Sequence, residues 1–80
     1  MSVYTEIQNE REYQNKRFGT TFDDKNNPYN WAAYIGQYAT RNLIGDPTAV
    51  VKADFRTSMV KVAALAVAAV EALDRSEATV

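Results

Sequence analysis

The chain has no cysteine and no histidine, and only three glycines and two prolines in 80 residues. Without cysteine there is no disulfide framework, no thiolate nucleophile and no thiolate metal site. Without histidine, zinc sites of the usual kinds, Ser-His-Asp triads and imidazole acid-base work are excluded as well. Carboxylates, lysine, tyrosine and serine remain as chemical players. The formal net charge of −1 lacks the basic surplus of a general nucleic-acid binder, so DNA is not an expected partner and any anionic ligand must be met by a local cluster. The opening Met-Ser-Val-Tyr-Thr-Glu has no basic region followed by an apolar core, so no secretory signal is expected and the cytoplasm is the expected compartment. Strand alternation is not evident anywhere, and the length suits one domain over residues 1–80. The expected fold class is therefore all-α.

Three helical segments can be placed. Ser2 can cap a first helix over 2–17, within an N-terminal segment 1–18 whose acids Glu6, Glu10 and Glu12 precede Lys16 and Arg17 in the order the helix dipole favours. Its apolar stripe is narrow, Val3 and Ile7 with Tyr4 beside them. Residues 19–29, with Asp23-Asp24-Lys25-Asn26-Asn27-Pro28, carry turn-forming side chains and read as a loop. A second helix is expected over 30–43, capped by Asn30 and closed near Gly45. Trp31, Tyr34, Ile35, Tyr38 and Asn42 recur at helical spacing, giving that helix an aromatic face. Gly36 inside it marks either a close approach by a neighbour or a tolerated surface glycine.

The third segment, 46–75, opens with Asp46 as a cap and Pro47 at the first helical position, and has no further glycine or proline. Between Lys61 and Glu71 it has no polar residue on any face, so this helix must be surrounded in its middle. The run is shorter than the roughly 20 apolar residues of a membrane span, and no membrane is expected. An antiparallel hairpin of the second and third helices is expected, with the first helix packed across it. Phe55, Met59, Val62, Ala66, Val70 and Leu73 recur at spacings of three and four and mark the expected seam against the second helix. Val60, Ala64, Val67 and Ala68 lie on another side and are expected to form a homo-oligomer interface, because a chain this short buries only about 60% of its unfolded surface alone. Residues 76–80 are expected to fray.

Glu10-Arg11 and Gln14, Arg17-Phe18-Gly19, Asn27-Pro28, Arg56, and the stretch from Met59-Val60-Lys61-Val62 through Glu71-Ala72-Leu73-Asp74-Arg75 resemble short phage and bacterial proteins related to the all-α nucleotide pyrophosphohydrolases called MazG-like. The resemblance implies an all-α nucleotide-handling protein. Active members of that family hold Mg²⁺ with paired carboxylates one helical turn apart, as a hard cation demands. Here the corresponding stretch of the second helix, Tyr34-Ile35-Gly36-Gln37-Tyr38, has no acid, and Ser58 and Lys61 stand where the third helix would supply its pair. Glu71 and Asp74 keep the spacing but sit far along the helix.

These residues point to a binding site without a catalyst and without a cofactor. Lys61 can neutralise phosphate oxygens where a metal would have done so, with Arg56 and Arg41 offering forked contacts. Trp31, Tyr34 and Tyr38 offer faces on which a base can stack. Each has a plainer alternative: the aromatics as core, Lys61 extending its ammonium to solvent. With the phage resemblance, the expected function is a sponge that sequesters a nucleotide defence signal, linear or cyclic, without turning it over. A residual Mg²⁺-dependent hydrolase and a protein-interaction module inhibiting a host protein are the alternatives.

Overall fold

The computed structural model of the chain describes residues 2–41, 43 and 50–78. Among these the secondary structure is entirely helical: α1, Val3–Lys25; α2, Pro28–Thr40; and α3, Lys52–Ala78. The expected cap at Asp46 and Pro47, Gly45 and Asn42 lie outside the described residues.

Ser2 caps α1 as expected, its Oγ accepting from the Thr5 backbone N–H at 3.2 Å. The helix is longer than the sequence pattern suggests. Its path breaks at Gly19, whose φ of 77° and ψ of 168° are far from helical values. A Cβ at that position would meet nothing within 4 Å, so what Gly19 supplies is a left-handed backbone, not space for a neighbour. Beyond the break the chain resumes helix to Lys25, where a loop over 19–29 was expected. Asp23 and Asp24 are not turn formers here. They belong to the last turn of the short helical piece after the break, where Asp24 pairs with Arg75 and the Asp23 carbonyl accepts from the Asn26 N–H. Asn26 and Asn27 alone link α1 to α2.

The cap of α2 is Asn27, one turn earlier than expected. Its side chain accepts from the Asn30 N–H at 2.9 Å, and the Asn30 side chain accepts from the Asn27 N–H at 2.9 Å. Pro28 explains the choice: it steers the preceding residue to extended backbone, seen in φ −91° and ψ 172° at Asn27, and has no N–H to lose at the first helical position. In α3 the β-branched pair Val50-Val51, expected to be helical, is not, and Val51 instead accepts from the Phe55 N–H at 3.0 Å at the helix entry. At the other end α3 runs three residues past Arg75, through part of the tail expected to fray.

α3 is the spine. α1 and α2 each pack on it and, among the described residues, not on each other. Among the described residues four ion pairs join α1 to α3: Glu6 with Arg56, Glu10 with Lys61 at 3.1 Å, Arg11 with Glu71 at 3.1 Å, and Asp24 with Arg75 at 2.7 Å. Their numbering rises together on both helices, so α1 and α3 run parallel. α2 runs against α3, with Trp31 near its start packed on Leu65, Ala68, Ala69 and Ala72.

The buried face of α3 is made of alanines one turn apart, Ala64, Ala68 and Ala72. This departs in part from the two expected sides of the helix: Val67 is exposed as expected and Met59 and Val62 of the expected seam are half-buried. Ala64 and Ala68, assigned to an exposed interface, are inside, and Val67 borders α1, sharing a groove with Tyr4 and Ile7. Phe55, Ala66, Val70 and Leu73, assigned to the seam with α2, face outward and are exposed. The physical reason is size. Two helices approach closest where side chains are smallest, and the alanines mark that line. Among the described residues no helix is long and apolar enough to cross a membrane.

Candidate ligand-binding cleft

Because α1 and α2 lean on α3 with their backbones apart, a cleft of about 350 Å³ opens between them with α3 as its floor. Lys61, Leu65 and Ala68 form that floor. α1 contributes Glu10, Tyr13, Gln14, Arg17, Phe18 and Asp23, and α2 contributes Trp31, Tyr34, Gln37 and Tyr38. Both walls are therefore aromatic. The volume lies at the small end of the range for small-molecule sites.

Of the residues singled out in the sequence, Trp31, Tyr34, Tyr38 and Lys61 come together here. Trp31 has a double position, 7% exposed as the largest member of the core and yet at the cleft wall. Tyr34 and Tyr38 are half-buried. Arg41 stands at the edge, its guanidinium carbon 4.5 Å from the centre of the Tyr38 ring. Arg56 does not belong to the group. Its guanidinium grips Glu6 with two hydrogen bonds on another part of the α1–α3 seam, and this contact holds the Glu6 carboxyl below its ordinary range. Gly36 meets no neighbour, so the surface alternative describes it and the close approach does not.

Lys61 is not a bare cation either. Its Nζ donates to Glu10 Oε1 at 3.1 Å, and the same oxygen accepts from Gln14 Nε2 at 3.3 Å. Arg17 carries the available charge: it donates to the Tyr13 hydroxyl at 3.1 Å and lies 5.5 Å from the centre of the Phe18 ring. Neither Arg17 nor Arg41 pairs with a carboxylate among the described residues. Asp23 is buried in the wall, and burial pushes its carboxyl above the ordinary range against the opposing pull of Arg11 and Arg75. Glu71, one member of the spaced acid pair, is bound to Arg11.

Sequence reasoning missed the whole α1 wall. The signal was present: Glu10, Tyr13, Gln14, Arg17 and Phe18 recur at spacings of three and four, but on a helix whose polar composition made it look peripheral. Chemically the site offers flat apolar surfaces, two glutamine amides able to read a base edge, and a guanidinium at the opening. Among the described residues no group of three or more acids could hold a metal ion. Among the described residues, fold and cleft together define an all-α protein with an aromatic-walled cleft. No protein-family model, curated protein or solved structure matches the chain.

Proposed function

We propose that the cleft holds a nucleotide by its base and does not turn it over, acting as a stoichiometric sponge for a nucleotide signal. The observation that carries this reading is the pairing of aromatic walls, Tyr13 and Phe18 on α1 against Trp31, Tyr34 and Tyr38 on α2, across one cleft. A flat, uncharged base suits that space, and stacking on an aromatic is worth roughly 1–3 kcal/mol per base. The charges give the ligand a direction. Glu10 and Asp23 repel an anion from the interior, so the phosphate lies toward the opening, where Arg17 can meet it. Lys61, held by Glu10, serves as a polar anchor of the floor and not as the main phosphate contact. The lysine that stands where related enzymes have a metal-binding acid favours retention over hydrolysis.

Thermal unfolding against linear and cyclic nucleotides, with EDTA present, tests the proposal, because a ligand that binds only the folded chain raises Tm. A stabilising nucleotide is expected to be recovered intact by chromatography. Tyr34→Ala should weaken its binding at least tenfold while leaving the helical circular-dichroism signal in place. No shift with any nucleotide would overturn the reading, and Mg²⁺-dependent loss of the ligand would replace it with a hydrolase.

A further inference from the structure

The face of α3 turned away from α1 and α2 is apolar along most of its length. Phe55, Met59, Val62, Ala66, Ala69 and Leu73 follow one another at alternating spacings of four and three, the seam of a paired helix; Phe55, Ala66 and Leu73 are exposed, Met59 and Val62 half-buried, and Ala69 lies at the edge of the face, where it also touches Trp31. Phe55 is 36%, Leu73 55% and the adjoining Val70 59% exposed. The fold beneath cannot do without further burial: the buried apolar residues among those described are Trp31 and three alanines.

We propose that this face pairs with the same face of a second copy, the two α3 helices running antiparallel about a dyad near Ala64. Three features select that occupant and that direction. Reversal about Ala64 sets Phe55 opposite Leu73, Met59 opposite Ala69 and Val62 opposite Ala66, so that large side chains meet small ones twice. A parallel pair would set Ala66 against Ala66 and Ala69 against Ala69, leaving voids, and crowd the two phenylalanines. Next, Leu73 borders an apolar groove of about 460 Å³ between the start of α2 and the end of α3, lined by Trp31, Ala69 and Ala72. Antiparallel pairing delivers the partner's Phe55 to the mouth of that groove. Last, Lys52 and Asp74 flank the face on one side, at opposite ends. Both are exposed, and neither takes part in an ion pair among the described residues. Reversal keeps the two flanks on one side of the pair, bringing each near its opposite on the other copy, and opposes the helix dipoles, whereas parallel helices would carry the two copies' flanking charges to opposite sides, away from their complements. Contact over the span from Phe55 to Leu73, about 27 Å, with two filled groove mouths, amounts to on the order of 1,000 Å² in total, the lower bound of a specific interface.

The test reads mass and orientation separately. Light scattering on the eluting protein should give twice the chain mass of 9.0 kDa. Ala66→Glu should halve it with the helical signal retained, since Ala66 is exposed in the single chain. A wild type that stays monomeric would overturn the proposal and leave the face to a foreign amphipathic helix. Orientation is read by disulfide capture, which the cysteine-free chain makes clean. Oxidising an equimolar mixture of Phe55→Cys and Leu73→Cys chains should yield the mixed disulfide in preference to either like pair. Phe55→Cys chains that link mainly to each other would overturn the antiparallel arrangement.

Discussion

Trp31→Ala is expected to destabilise the chain by about 3–5 kcal/mol, the usual range for removing a large aromatic from a core. Domains of this kind have total stabilities of roughly 5–15 kcal/mol, so the variant should be largely unfolded by moderate heat or denaturant. Trp31 is the one large side chain among the buried apolar residues, and the rest of that set are alanines. It is the contact that holds α2 to α3, through Leu65, Ala68, Ala69 and Ala72. Urea unfolding followed by far-ultraviolet circular dichroism measures the loss, and Trp31→Phe should retain a cooperative transition at a lower midpoint. If Trp31→Ala proves as stable as the wild type, the indole is a ligand platform and the core lies elsewhere.

Ala64→Leu is the second large expected effect, about 3 kcal/mol, at the upper end of the range for overpacking. Ala64 is fully buried and lies on the helical wheel between the cleft floor and the residues that meet α1. Three added carbon atoms would have to push α1 off the spine. The ion pairs described along that seam offer little resistance to the displacement: Glu10–Lys61 is part-buried, and the exposed others contribute little once solvent screens them. Ala53→Leu, on the same helix but exposed and outside the proposed paired face, is the control and should leave the unfolding midpoint almost unchanged. Equal effects at the two positions would mean that α3 presents a different face to α1 and α2.

These alanines also explain what could and could not be seen in the sequence. The all-helical character of the described residues and the aromatic face of α2 follow from capping residues and from the spacing of Trp31, Tyr34 and Tyr38, and were legible. The rotation of α3 was not. Amphipathicity orients a helix by the contrast between its polar and apolar sides, and from Val62 to Val70 α3 has no such contrast. The usable information there is volume: Ala64, Ala68 and Ala72 repeat at four-residue spacing along the line of closest approach, while Phe55, Val70 and Leu73 mark the open side. Likewise Asn27-Pro28 outranked Asn30 as a helix start because proline acts on the residue before it. The α1 wall of the cleft was hidden for a different reason. Its residues are ordinary on a polar helix and acquire meaning only when Gly19 and the run of ion pairs set them opposite α2.

The parallel course of α1 and α3 has a consequence for how the chain acquires its structure. The ion pairs that join these helices link residues 50, 51 and 60 positions apart, whereas α2 and α3 are consecutive and can close a hairpin locally. Closing the longer loop costs more chain entropy, which the α2–α3 contacts are positioned to reduce before α1 arrives. α1 is then the last helix to dock, although it is the first to be synthesised. Truncating Ile7 to valine should accordingly speed unfolding and leave the refolding rate nearly unchanged, while Leu65→Ala should slow refolding; the reverse pattern would refute this order. Since one wall of the cleft belongs to α1, a chain in which only α2 and α3 have docked has no cleft, and on the proposed function its ligand would bind only after the final step.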